Sequence, residues 1–342
     1  MVYKTKYFCL LAALLLFLGG CAHSRTAGQE TAVSSQLTDQ EAPAAVYTYS
    51  TADGKGKKIE KTKSQKKTKS KKKKSYKAPG FAGSAFHAEL AQGDGNVLLD
   101  LSATKDGYVA IAAWSPARLK FQVTKGESTY TYDIASDGTP SVFPLQGGDG
   151  VYMFRVMENV VDSQYAQLYI AEAEVAISDE FQPFLRPSAY VNYTKDSQCV
   201  KKAAKLAKKA GNAVEVVSEV YDYICKTVDY DFPKAANVQS GYLPNPDETM
   251  ETGMGICFDY ASLAAAMLRS QGIPTRVIFG YVSPDNLYHA WNMFYTKETG
   301  WVTVGFKAQK DQWTRMDLTF AANGAESSFI GDGSNYQDAY MY

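Results

Sequence analysis

Histidine is scarce in this chain: 3 of 342 residues, at positions 23, 87 and 289. No His or Cys pair has the spacing of a zinc site, and no segment follows the calcium-binding EF-hand pattern. Metal chemistry therefore has no sequence support, and no metal or other cofactor is expected. Long apolar runs are also lacking. The N-terminal run, Tyr7 to Leu18, has 12 residues, against the roughly 20 a helix needs to cross a bilayer. Acids almost vanish between residues 55 and 77, where 13 lysines face the single acid Glu60. Cysteines number only 5, which excludes a disulfide-dense scaffold.

What is present divides the chain. Lys4 and Lys6, the short apolar run and Gly19-Gly20-Cys21 read as a secretory leader over residues 1–20. Leu18-Gly19-Gly20-Cys21 resembles a bacterial lipobox, with Cys21 as the lipidated residue. Lipidation would hold the chain on the extracytoplasmic face of the cell membrane. Residues 21–80 are rich in Ala, Ser, Thr, Gln and Lys; such a segment buries too little apolar surface to fold and is expected to be a disordered basic linker. Behind a leader, its lysines suit anionic lipid or anionic wall polymers and not nucleic acid. From residue 78 onward there are 20 basic and 31 acidic residues, a net charge of −11. A cationic leash thus precedes an acidic body.

Residues 81–180 alternate short β-rich runs with Gly and Asp turns. Candidate strands begin near Val97, Tyr108, Lys120, Thr129, Val151 and Gln167. Spacing of about 8–12 residues predicts a small all-β sandwich. After an irregular hinge the period becomes helical, and residues 190–342 are expected to form the second domain. Val200 to Ala210 and Val214 to Thr227 predict a helical hairpin broken at Gly211-Asn212. Cys199 and Cys225 fall near its open end at similar height, which predicts a disulfide between them. Cys9 leaves with the leader and Cys21 carries lipid, so Cys257 remains as the free thiol.

Cys257 lies at the expected start of a helix that ends near Gly272-Ile273-Pro274. Backbone N–H groups and the helix dipole lower a thiol's pKa there and can bind an oxyanion. Gly255 would let backbone and substrate approach closely. His289 follows on a strand, Leu287 to Thr296, and Asp317 ends a later one. Nucleophile, base and acid in this order match thiol acyl transfer. Asp285 and Asp311 are competing acids with the look of turn formers.

Gly255-Ile256-Cys257-Phe258-Asp259-Tyr260-Ala261, His289-Ala290-Trp291-Asn292 and Asp317-Leu318-Thr319-Phe320 resemble the three motifs of the transglutaminase-like superfamily. The chain is similar to its bacterial secreted and lipoprotein members over about residues 195–320. The resemblance implies an α+β, papain-like core, with a helix-borne Cys on an antiparallel sheet that carries His and Asp. It makes Cys257 the nucleophile, His289 the general base and Asp317 the orienting acid. Tyr230-Asp231 also resembles a recurrent family feature of structural role. Where members often have Asp-Pro-Thr, this chain has Asp317-Leu318-Thr319. Tyr242 is a candidate side-chain oxyanion donor. The expected activity is attack on carboxamide or peptide carbonyls of a protein or peptide substrate, cell-wall peptide included, through a thioester. Transglutamination, deamidation and proteolysis all fit. The alternative is a non-catalytic surface binding or scaffold lipoprotein that keeps the fold. A monomer is expected.

Overall fold

The computed structural model describes residues 75–303, 306–325, 330 and 333–342. The leader, Cys21 and the lysine-rich stretch up to residue 74 lie outside the described residues.

Eight strands come first: β1 (Gln92–Gly93), β2 (Val97–Asp100), β3 (Tyr108–Ala113), β4 (Leu119–Lys125), β5 (Ser128–Ile134), β6 (Ser141–Pro144), β7 (Gly150–Val161) and β8 (Gln164–Val175). They form two four-stranded antiparallel sheets, ordered β1-β2-β3-β6 and β5-β4-β7-β8. The sheets meet face to face: the Phe143 ring of β6 lies 5.2 Å from Phe121 of β4 and 4.4 Å from Tyr132 of β5. Alternation explains this, because Phe121 and Val123 point inward while Lys120 and Thr124 are only partly covered. Strand β6 escapes a propensity reading because prolines sit on both sides of its short apolar pair, at Pro140 and Pro144.

Helices follow: α1 (Gln198–Ala207), α2 (Ala213–Thr227), the short strand β9 (Asp229–Tyr230), α3 (Phe232–Asn237), α4 (Pro246–Thr252), β10 (Met254–Gly255) and α5 (Cys257–Arg269). Asn212 starts α2 as well as interrupting the pattern, since its side chain accepts from the Glu215 N–H at 2.9 Å. Strands β11 (Thr275–Val282), β12 (Leu287–Thr296), β13 (Gly300–Trp301), β14 (Lys307–Ala308) and β15 (Gln312–Met316) come next, then α6 (Leu318–Ala322) and β16 (Tyr336–Met341). The main sheet here is antiparallel, ordered β15-β12-β11-β16.

Helix α5 is the centre of this part. Every residue from Phe258 to Arg269 is buried, and only Cys257 at its first position is half-exposed. Its Ala264-Ala265-Ala266 run lets neighbouring elements close in, and each fully buried Leu or Met adds about 1.5–3 kcal/mol. Arg269, also buried, donates to the carbonyls of Thr275, Arg186 and Tyr342 at 2.8, 2.9 and 3.1 Å. Those bonds staple the end of α5 to the sheet.

The sandwich and the helical part share one apolar core, running from Val97 through Phe121, Val217 and Leu263 to Tyr342. Tyr190 is the seam. Its ring touches Tyr132 of the sandwich at 5.5 Å, Tyr342 at 4.5 Å and Phe258 of α5 at 5.2 Å.

The expected linker boundary at residue 80 needs correction. Tyr76 is already docked: its N–H donates to Ala210 O at 2.7 Å and its hydroxyl to Gln271 O at 2.8 Å. Pro79 then packs on Gly272, whose φ of +73° and lack of Cβ make room for the ring. The expectation of an unfolded segment rested on composition, and one tyrosine and one proline suffice to hold this stretch.

Candidate active site

The start of α5 is fixed by a buried carboxylate. Asp259, wholly inaccessible, accepts from the Ile256 N–H at 2.8 Å and from Lys234 Nζ at 2.8 Å. Its other oxygen accepts from the Tyr242 hydroxyl. Helix α3 holds Lys234 in place, and Asp231 caps that helix by accepting from the Lys234 N–H at 2.9 Å. Parallel pairing of β9 with β10 brings Asp231 beside Gly255. This gives Tyr230-Asp231 a structural task. Cys257 thereby occupies the first turn of a helix whose leading N–H groups have no acceptor within the helix.

Two expectations change at this point. A Cβ on Gly255 would come within 2.7 Å of Asp259 Cβ and 3.2 Å of Thr249 Cγ2. The glycine therefore makes room for the capping carboxylate, and not for substrate. The Tyr242 proton is committed to Asp259, a stronger acceptor than a neutral carbonyl. That bond removes it as an oxyanion donor. Burial, then the Asp259 contact, push its pKa far above the ordinary phenol value.

His289 sits on β12 opposite Gly280 of β11, and 1% of it is exposed. Its Nε2 bonds Asp317 Oδ2 at 2.8 Å. Phe320 lies over the imidazole at 4.4 Å with 27° between the planes. Asp317 follows the last residue of β15, Met316, which pairs with Asn292 on β12. It caps α6, accepting the Phe320 N–H on Oδ1 at 3.0 Å. Its Oδ2 also accepts the Tyr336 hydroxyl at 2.9 Å. The carboxylate is thus aimed by three donors, and it aims the ring in turn.

The other imidazole nitrogen, Nδ1, has no hydrogen bond of ordinary geometry. Cys257 nevertheless lies near enough to the ring to favour its protonated form. Burial opposes protonation of His289, but Asp317 chiefly, with Cys257, outweighs it and lifts the pKa to about 10. A ring held toward its protonated form is the partner that favours a thiolate at Cys257. Asn292 secures the distance between helix and strand, donating to Ala261 O of α5 at 3.0 Å and Arg276 O of β11 at 3.1 Å.

The competing acids stand apart. Asp285 lies in the β11–β12 turn, and Asp311, at φ +55°, accepts from the Tyr295 hydroxyl at 3.3 Å. The expected Cys199–Cys225 disulfide is absent, and both are thiols. Cys199 is sealed at the start of α1, where Asp247 accepts its N–H at 2.8 Å. Cys225 turns instead toward α6, with its sulfur 3.9 Å from Leu318 O. Burial raises both thiol pKa values, that of Cys225 to about 12. Similar height along a helical hairpin does not bring side chains together when they leave the axes in different directions.

Tyr336 had no place in the sequence reading, and Asn292 entered it only as the last residue of the His289-Ala290-Trp291-Asn292 motif, with no role of its own. The role of Asn292 as a tie could have been found by asking what joins the strand to the helix. Nothing local marks Tyr336. Among the described residues no group of three or more His, Cys, Asp or Glu is arranged to hold a metal ion.

Comparison with known proteins places a family match over the part of the chain that contains Cys257 and His289. Residues 200–306 match the Transglutaminase-like superfamily. A protein-glutamine gamma-glutamyltransferase of Pseudomonas aeruginosa is 30% identical over 105 residues, 27% of this chain and 15% of its own length. An uncharacterized Bacillus subtilis protein is 30% identical over 124 residues, 30% of this chain and 16% of its own. The chain thus spans less than a fifth of either relative. Legionella pneumophila LapG aligns in structure over 41% of this chain and 74% of its own, at 17% identity and a TM-score of 0.27. Helix-borne Cys257, the antiparallel sheet and the sequence match together identify a transglutaminase-like domain at residues 200–306 of this chain.

Proposed function

We propose that this chain is a thiol enzyme that opens carboxamide or peptide carbonyls through Cys257, His289 and Asp317. The observation that carries the reading is the buried 2.8 Å bond between His289 Nε2 and Asp317 Oδ2, on a ring whose protonated form Cys257 also favours. The sulfur attacks the carbonyl carbon, and N–H groups in the first turn of α5 receive the oxyanion. His289 gives its Nδ1 proton to the departing ammonia or amine, leaving a thioester on Cys257. Water or a second amine then attacks the thioester, and the imidazole takes up the proton that nucleophile loses. Asp317 stays a carboxylate throughout and holds the ring in register.

The Pseudomonas relative's name, a glutamine γ-glutamyl transfer, favours a protein or peptide carboxamide as substrate. Amine acceptors give cross-links, water gives deamidation, and a peptide-bond substrate gives cleavage. In this reading Cys21 carries the lipid, and the lysine-rich stretch lies against an anionic surface outside the cell membrane.

Intact mass after incubation with a glutamine peptide and a primary amine tests the chemistry. Amine incorporation, loss of ammonia and chain cleavage have distinct mass signatures, and Cys257→Ala should abolish whichever occurs. Equal turnover by that variant would refute the assignment.

A further inference from the structure

The folded part of the chain is anionic, with 20 basic and 31 acidic residues from position 78 onward. Five of those 20 nevertheless fall together on α1 and just beyond its end: Lys201, Lys202, Lys205, Lys208 and Lys209. No acid occurs from Ser197 to Val214. Lys201, Lys205 and Lys208 are exposed and spaced as one helix face, while Ala203, Leu206 and Ala207 are buried on the other. Lys202 lies over the Tyr223 ring at 4.0 Å, and Lys209 approaches Glu219 only to 3.9 Å. Among the described residues no carboxylate pairs with Lys201, Lys205 or Lys208.

Position adds a second observation. The chain enters the fold at the C-terminal end of this same helix, where Tyr76 is bonded to Ala210, and Lys77 beside it is exposed. Lys77, the last of the 13 lysines of residues 55–77, therefore lies next to the residue docked where the lysine face of α1 ends. We propose that this face of α1 is a docking surface for a membrane of anionic phospholipid.

Shape and chemistry favour a lipid plane over a polymer. The three lysines line a straight stretch of about 10 Å, from seven residues at 1.5 Å rise, with Ala204 between them. Ammonium groups read phosphate as point charges, without the forked geometry arginine brings. Helix α1 itself carries no aromatic residue on which a base or sugar could stack. The choice of lipid also leans on the membrane placement proposed above, but the test does not.

The full chain carrying Cys21→Ser, which cannot be lipidated, is sedimented with phosphatidylglycerol–phosphatidylcholine vesicles and with phosphatidylcholine vesicles. Binding should appear only with the anionic lipid and fall with added salt. Replacing Lys201, Lys205 and Lys208 by alanine should weaken it by about fivefold per lysine, equivalent to about 1 kcal/mol each. Arginine at the same three positions should restore it. Unchanged iodoacetamide alkylation of Cys257 would show that the variants are folded. Three results would each overturn the proposal: equal sedimentation with neutral vesicles, an alanine variant that binds like its parent, or soluble poly(glycerol phosphate) captured in preference to vesicles.

Discussion

Two donors share one oxygen of Asp317. His289 Nε2 and the Tyr336 hydroxyl both bond Oδ2, at 2.8 and 2.9 Å. Each weakens the carboxylate's hold on the other, so Tyr336 limits how strongly Asp317 keeps the imidazole protonated. Tyr336→Phe should cost about 1 kcal/mol of stability for the lost hydrogen bond. It should also move the alkaline limb of Cys257 alkylation by iodoacetamide to higher pH, because the carboxylate then serves the ring alone. A limb that stays put would reduce Tyr336 to a packing residue. The same ring sets the pH dependence of stability. His289 has a folded pKa of about 10, above its ordinary value of 6.5. Its contribution is therefore complete below about pH 6.5 and is lost as pH rises toward 10. Denaturation midpoints across that window should fall more steeply for the native chain than for His289→Gln.

Helix α5 shows what an element needs beyond its own sequence. Its start at Cys257 and its strand partner β12 were both legible, the first from the glycine-rich lead-in and the Pro274 stop, the second from alternation. The lock on its first turn was not, because Lys234, Tyr242 and Asp259 lie far apart in the chain and meet only in the fold. Helix α6 hid for the opposite reason: with five residues it is too short for a periodicity to register, and Asp317 reads equally well as a strand end. Height along the α1–α2 hairpin could be counted from residue number, but at 100° per residue the direction of Cys225 depended on what α2 packed against. One result separates the two roles for Tyr242. Tyr242→Phe should leave turnover of a model amide within a few-fold, because the hydroxyl braces Asp259. A fall of 10²–10³, the usual cost of removing an oxyanion donor, would return it to the reaction centre.

At the scale of the whole molecule, the two parts expected from composition are one body in packing. Tyr132, Tyr190 and Tyr342 join sandwich and helices through ring contacts of 4.5–5.6 Å, and the core is continuous across them. Calorimetry should therefore show one cooperative transition, with the calorimetric and van't Hoff enthalpies equal. Two resolved transitions would mean that the seam is weaker than its packing suggests. The change of pattern near residue 190 precedes the first helix, α1, by a few residues, but pattern carries no information on whether two architectures share an interior.

The docking of Tyr76 at Gln271 has a mechanical corollary. Gln271 lies just past the far end of a 13-residue helix that begins with Cys257, about 20 Å away at 1.5 Å rise per residue. Tension arriving through the preceding chain is thus delivered at the stern of α5, while the sulfur rides at its bow. If Cys21 is lipidated as proposed, a longer or shorter mooring would alter how far the sulfur can range from that lipid, and would leave its chemistry untouched.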